Sequence, residues 1–166
     1  MWKRMFIKFF RSIRIKTRRL EPESPDALSV SDRQSLLDSY DQKALEGATV
    51  SLIGCGGLGS EVGEGLVRKG VGILKCADGD RAELTNLNRQ LFYRSDLGRS
   101  KGLRLPANLA PHATCGTIIE GYDFYFQDAI YHGIDLSCTV AVCGIDNNAG
   151  RIAVARHYLM SSTPVI

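Results

Sequence analysis

The hexapeptide Gly54-Cys55-Gly56-Gly57-Leu58-Gly59, directly after the apolar run Thr49-Val50-Ser51-Leu52-Ile53, constrains this 166-residue chain more than any other feature. A buried strand that runs into a G-x-G-x-x-G loop turns tightly into a helix, and the bare N–H groups at that helix start face a polyphosphate. Gly54, Gly56, Gly57 and Gly59 are therefore candidate nucleotide-binding positions. Leu58 to Lys69 reads as the helix. Val71 to Ala77 reads as a second strand that delivers Asp78 about 20 residues past the loop, where a ribose-binding acid belongs. A polar stretch with Asp80, Asn86 and Arg89 follows, and then Lys101. A dinucleotide's pyrophosphate is held by the loop itself, whereas a triphosphate under nucleophilic attack builds negative charge that guanidinium and ammonium groups stabilise. The set favours ATP chemistry over hydride transfer.

Around this unit, short apolar runs alternate with helical segments. Ser31 can cap a helix to about Tyr40, a helix is expected from about Arg99 to Leu109, and Thr114 to Glu120 reads as a third strand. Phe124 to Tyr131 reads as helix, Leu136 to Cys143 as a fourth strand and Asn148 to Met160 as a helix. Pro164-Val165-Ile166 opens a fifth strand. This order predicts an α/β fold, a Rossmann-like doubly wound parallel sheet that is incomplete at its C-terminus. The carboxyl ends of such strands surround one crevice, so Asp78, Asp80 and Asp146 can converge although far apart in sequence. Asp146 also reads as an N-cap for the helix after it, and Asp80 as a turn residue.

Composition narrows the setting. An apolar content of 44% fits one globular domain with a real core. Formal charge is +3, yet eight Lys and Arg with no acid fall in residues 1–20, and the remainder carries 13 bases against 18 acids. A nucleic-acid groove on the body is not indicated. Cys55, Cys76, Cys115, Cys138 and Cys143 form no CxxC pair, and an odd count in apolar runs reads as reduced, mostly buried thiols in a cytoplasmic protein. Residues 2–19 place apolar side chains at 2, 5, 6, 9 and 13, a helical spacing that predicts a basic amphipathic helix able to make weak contact with an anionic membrane surface. Two prolines and alternating acids in residues 21–26 then read as a linker. The division expected is an N-terminal extension and linker over residues 1–28 and a nucleotide-binding domain over residues 29–166.

The motifs, taken in order, resemble the ThiF/MoeB/HesA adenylyltransferases, relatives of the adenylation domain of ubiquitin-activating enzymes. The matching residues are Ser31-Asp32-Arg33-Gln34, the glycine loop with Ser60, Asp78-Gly79-Asp80, Asn86-Leu87-Asn88-Arg89-Gln90, Lys101 and Asp146-Asn147. The resemblance implies that ATP and Mg2+ activate the C-terminal glycine carboxylate of a ubiquitin-like or sulfur-carrier protein as an acyl-adenylate, releasing pyrophosphate. By similarity, Asp78 holds the ribose hydroxyls, and Asn86, Arg89 and Lys101 contact the phosphates. Asp146 binds magnesium, and Arg33 reaches the phosphates of a partner subunit, which implies a homodimer. Two features depart from the family: the chain stops at its fifth strand, as expected of a truncated domain, and Cys143 stands where members often carry an acid. The competing classes are an NAD-dependent oxidoreductase and an inert scaffold fragment of an activating enzyme. The first needs a hydride-transfer site that His112, His132 and His157 do not supply, and the second tends to lose the phosphate-binding Arg and Lys.

Overall fold

The computed structural model describes residues 11–24 and 27–166. Among these residues the sheet has five strands: β1 (Ser12–Lys16), β2 (Thr49–Ile53), β3 (Ile73–Ala77), β4 (Ile118–Tyr122) and β5 (Val140–Cys143), in spatial order β1-β4-β3-β2-β5. β2 pairs in parallel with β3 and β5, and β3 in parallel with β4. Val165 adds an isolated parallel bridge to Ala141, next to β5. Among the described residues, five α-helices connect and cover these strands: α1 (Gln42–Gly47), α2 (Gly57–Lys69), α3 (Lys101–Leu109), α4 (Phe126–His132) and α5 (Asn148–Leu159).

The alternation of side chains along each strand builds two cores. Val50, Leu52, Leu74, Cys76 and Ile119 face one side, where Val67 of α2 and Leu105 and Leu109 of α3 close over them. Ile53, Ala77 and Ala141 face the other, beneath Phe126, Leu136, Val154 and Tyr158. Each fully buried Leu, Ile or Phe contributes about 1.5–3 kcal/mol, so both faces are needed to hold the parallel strands. The two-sided cover makes the sheet doubly wound, as expected, and leaves the carboxyl ends of β2, β3, β4 and β5 at one edge.

Three local expectations are corrected. Residues 12–16 form β1, antiparallel to β4, with Ser12 opposite Tyr122 and Lys16 opposite Ile118, instead of helix. Ile13 and Ile15 alternate with Arg14 and Lys16, a strand period that β-branched residues favour, and β4 would otherwise expose an unpaired edge. Arg14 pairs with Glu120 at 3.0 Å across the two strands. Residues 1–10 of the expected helix lie outside the described residues.

The helix expected from Ser31 to Tyr40 shrinks to a 3-10 turn at Gln34–Leu36, with Leu36 and Leu37 exposed. Here Ser29 bonds the Asp32 carboxylate and the Ser35 hydroxyl donates to the Ser31 carbonyl, local bonds that compete with a helix. The cap belongs instead to Asp41, whose carboxylate accepts from the Lys43 and Ala44 N–H groups at 2.9 and 3.0 Å to start α1. The third parallel strand is displaced to residues 118–122, because Gly116 turns with φ +79° before the chain becomes extended.

Candidate nucleotide-binding site

The glycine loop floors a cleft of about 490 Å³ at the carboxyl edge of the sheet. Gly54 sits at φ +99°, and a Cβ there would lie 2.8 Å from the backbone of Gly144, where the turns after β2 and β5 nearly touch. A Cβ on Gly59 would overlap the Gly54 carbonyl oxygen, so only glycine lets α2 start this close to β2. Gly56 caps α2 with no side-chain hydrogen bond, which leaves the N–H groups of its first turn for an anion.

Asp78, at the end of β3, accepts the Cys55 N–H at 2.7 Å on one carboxylate oxygen and the Asp80 N–H at 2.7 Å on the other. Burial pushes its carboxyl above the ordinary range, while the two backbone donors and Lys101 pull the other way. Lys101 is buried, its backbone N–H donates to the Asp80 carbonyl at 2.9 Å, and its Nζ lies 3.7 Å from the Asp80 carboxylate. Arg89 is exposed and its guanidinium donates to the Thr85 carbonyl at 2.8 Å and to Asn88 at 3.0 Å. Asp146 is exposed and makes no hydrogen bond or ion pair among the described residues. The N-cap role considered for it falls to Asn147, whose side chain accepts the Gly150 N–H at 2.8 Å.

Gly54, Gly56, Gly57, Asp78, Asp80, Arg89, Lys101 and Asp146 all wall the cleft. Gly59 acts beneath it. Asn86 does not line it: its side chain is buried and accepts the Glu83 N–H at 2.9 Å, fixing the turn that precedes Arg89. Arg33 is exposed at the start of the 3-10 turn, also outside the lining. Among the described residues no cluster of three His, Cys, Asp or Glu could hold a metal, and no helix is long and apolar enough to cross a membrane. All five cysteines are free thiols; Cys55 and Cys76 are buried, the other three half-buried, and Cys143 lines the cleft. His112 and His157 lie outside it, one beside Arg68 and Glu64, the other edge-on to Phe126.

Sequence reasoning missed Gln90, whose Oε1 is buried without a hydrogen-bond partner beside the glycine loop. It also missed the wall formed by Phe124, Tyr125 and Phe126. The signal existed: ligands gather at the ends of successive parallel strands. Ending the third strand at Glu120, two residues early, hid it.

The long polar loop that carries Arg89 is anchored by Asp96, which is wholly buried. Its carboxylate accepts from Arg104 at 2.6 Å, Asn108 at 2.7 Å and the Tyr93 N–H at 3.0 Å. Burial raises its pKa, but the donors from Tyr93, Asn108 and Arg104 together outweigh burial and hold the carboxyl below the ordinary range. A depressed folded value gives stability that is present above the unfolded carboxylate pKa of about 3.9 and lost as pH falls through the folded one. Asp96→Ala strands three donors, so urea unfolding at pH 7 should show a loss of about 2–4 kcal/mol. The wild-type advantage should shrink below about pH 4.

Residues 31–166 match the sequence pattern of the ThiF family. The adenylyltransferase and sulfurtransferase MOCS3 of Caenorhabditis briggsae is 31% identical over 141 residues, covering 81% of this chain and 34% of that protein. Ubiquitin-like modifier-activating enzyme 5 of Branchiostoma floridae is 29% identical over 134 residues, covering 74% of this chain and 32% of that one. Among solved structures, E. coli MccB with ATP superposes at TM-score 0.67 and 26% identity, covering 75% of this chain and 37% of that chain. The chain thus spans about a third of the length of these relatives. Because the family match takes in every residue that walls the cleft, the fold and its crevice are of one lineage, and the chain belongs to the ThiF family.

Proposed function

We propose that this chain is the nucleotide-binding part of an adenylate-forming enzyme that acts on the C-terminal glycine carboxylate of a ubiquitin-like or sulfur-carrier protein. A carboxylate oxygen attacks the α-phosphorus of ATP, the bond to the bridging oxygen breaks, and pyrophosphate leaves as the acyl-adenylate forms. The observation that supports this best is the placement of Lys101 and Arg89 on the same cleft as the glycine loop and Asp78. A nicotinamide dinucleotide has no need of two such cations, whereas charge building on a triphosphate does.

In this reading Asp78 accepts from the ribose hydroxyls. The glycine loop and the start of α2 hold phosphate oxygens, and Lys101 and Arg89 neutralise the charge that develops during attack. Asp146, unengaged at the cleft wall, suits Mg2+, which takes one or two carboxylates and completes its shell with phosphates and water. Bound there, the ion supplies positive charge to the phosphate oxygens. Asn86 acts at a distance, by shaping the turn before Arg89. Arg33, exposed and outside the cleft, fits a role across a homodimer, on the nucleotide of the other subunit. The five free thiols fit a cytoplasmic setting.

Calorimetric titration of the chain with Mg-ATP and, separately, with NAD tests the reading. ATP should bind, and Arg89→Ala should weaken it about tenfold, the loss of one charged hydrogen-bonding contact. Selective NAD binding would overturn the assignment in favour of an oxidoreductase. ATP binding without ATP–pyrophosphate exchange, even with candidate carriers added, would leave a scaffold fragment.

A further inference from the structure

The segment between β4 and α4 places three aromatic residues in a row, and they divide by burial. Phe124 and Phe126 are buried in the core, whereas Tyr125 is 55% exposed and lines the cleft. Its ring lies over Gly79, where a Cβ would sit 2.8 Å from three ring carbons, so the approach needs a glycine between the two aspartates. Its hydroxyl donates to Oδ1 of Asp80 at 2.9 Å. The other oxygen of that carboxylate, Oδ2, faces Lys101 Nζ at 3.7 Å.

Lys101 opens α3, where the positive end of the helix disfavours an ammonium group. Its side chain is 10% exposed, and Asp80 is its only salt-bridge partner among the described residues. Asp80 itself is 54% exposed, so without a tether its carboxylate would turn to water. Its main-chain N–H donates to the Asp78 carboxylate and its carbonyl accepts from the Lys101 N–H; among the described residues, the Tyr125 hydroxyl is the one side-chain group that hydrogen-bonds its carboxylate.

We propose that Tyr125 is a positioning residue that acts through Asp80: its hydroxyl clamps the carboxylate so that Lys101 is held in the cleft until a polyphosphate takes it over. The pair is long for charged partners, which prefer about 2.7–2.9 Å, so phosphate oxygens can displace Asp80 from the ammonium. Asp80 stays on Tyr125 as this happens, which keeps its negative charge from swinging into the path of the phosphates. The bond to Asp80 raises the Tyr125 pKa, so the hydroxyl keeps its proton throughout the neutral range. The clamp is a property of the free protein; its consequence for catalysis rests on the adenylation reading above.

The test uses the full chain and an amine-acylating N-hydroxysuccinimide ester, with the rate at Lys101 read by mass spectrometry against exposed Lys69. Tyr125→Phe should raise the Lys101 rate about fivefold, the equivalent of one hydrogen bond. Asp80→Asn should raise it at least as much, and the double variant no further. Tyr125→Phe removes a single oxygen from an exposed ring, and its melting temperature should match wild type. In ATP–pyrophosphate exchange it should raise the KM for ATP about fivefold with kcat within about twofold, since a holding contact is lost and a reacting one is not. Unchanged Lys101 reactivity in Tyr125→Phe, whatever Asp80→Asn does, would overturn the proposal. Raised reactivity in a protein that binds no ATP would uphold the clamp and overturn the adenylation reading.

Discussion

Gly59→Ala should abolish nucleotide binding and cost about 3 kcal/mol of stability, the scale of a severe overpacking defect. The added methyl would overlap the Gly54 carbonyl oxygen, a backbone atom that no rotamer change can move aside. Relief requires α2 to shift away from β2, which takes the open N–H groups of its first turn off the phosphate position. Urea unfolding should show the loss, and an ATP titration should be silent. Gly65→Ala is the control on the same helix. No heavy atom lies within 4 Å of a Cβ at position 65, so that change should raise stability by about 0.5–1 kcal/mol through helix propensity and leave ATP binding intact.

Lys101→Ala should depress ATP–pyrophosphate exchange by about 10²–10³-fold, the usual cost of removing one preorganised donor from a developing anion. The fold should survive, because the partner left behind, Asp80, is half exposed and can be rehydrated. Urea midpoints close to wild type would separate this variant from Gly59→Ala, where binding and stability fall together. A Lys101→Ala protein that exchanged pyrophosphate normally would remove the main support for the proposed chemistry.

The strand–glycine-loop–helix unit was legible because it is written in short-range terms. An apolar pentapeptide, glycines at fixed spacing and an acid at the end of the next strand impose the turn, the helix start and the position of Asp78 with little help from the rest of the chain. Strand ends in a parallel sheet gather at one edge, so the meeting of Asp78, Asp80 and Asp146 could also be anticipated. Arg89 was legible as a cation in the right loop.

What the residues alone did not decide turned on partners distant in sequence. Ser12 to Lys16 has a pattern open to helix or strand, and the free edge of β4, more than 100 residues later, selects strand by offering its backbone groups. Asn86 carries the right chemistry for a phosphate contact, yet its side chain is spent on the Glu83 N–H, because the long loop must satisfy its own buried polar atoms. The place of the aromatic run at a strand end was a signal, but nothing in the sequence singled out Tyr125 from the two phenylalanines beside it. Only packing buries the residues on either side of it and sets its ring over Gly79, beside the aspartate that holds Lys101. Local pattern sets which elements form when propensity and period agree; where they leave two choices, the pairing of backbone edges and the filling of the core decide.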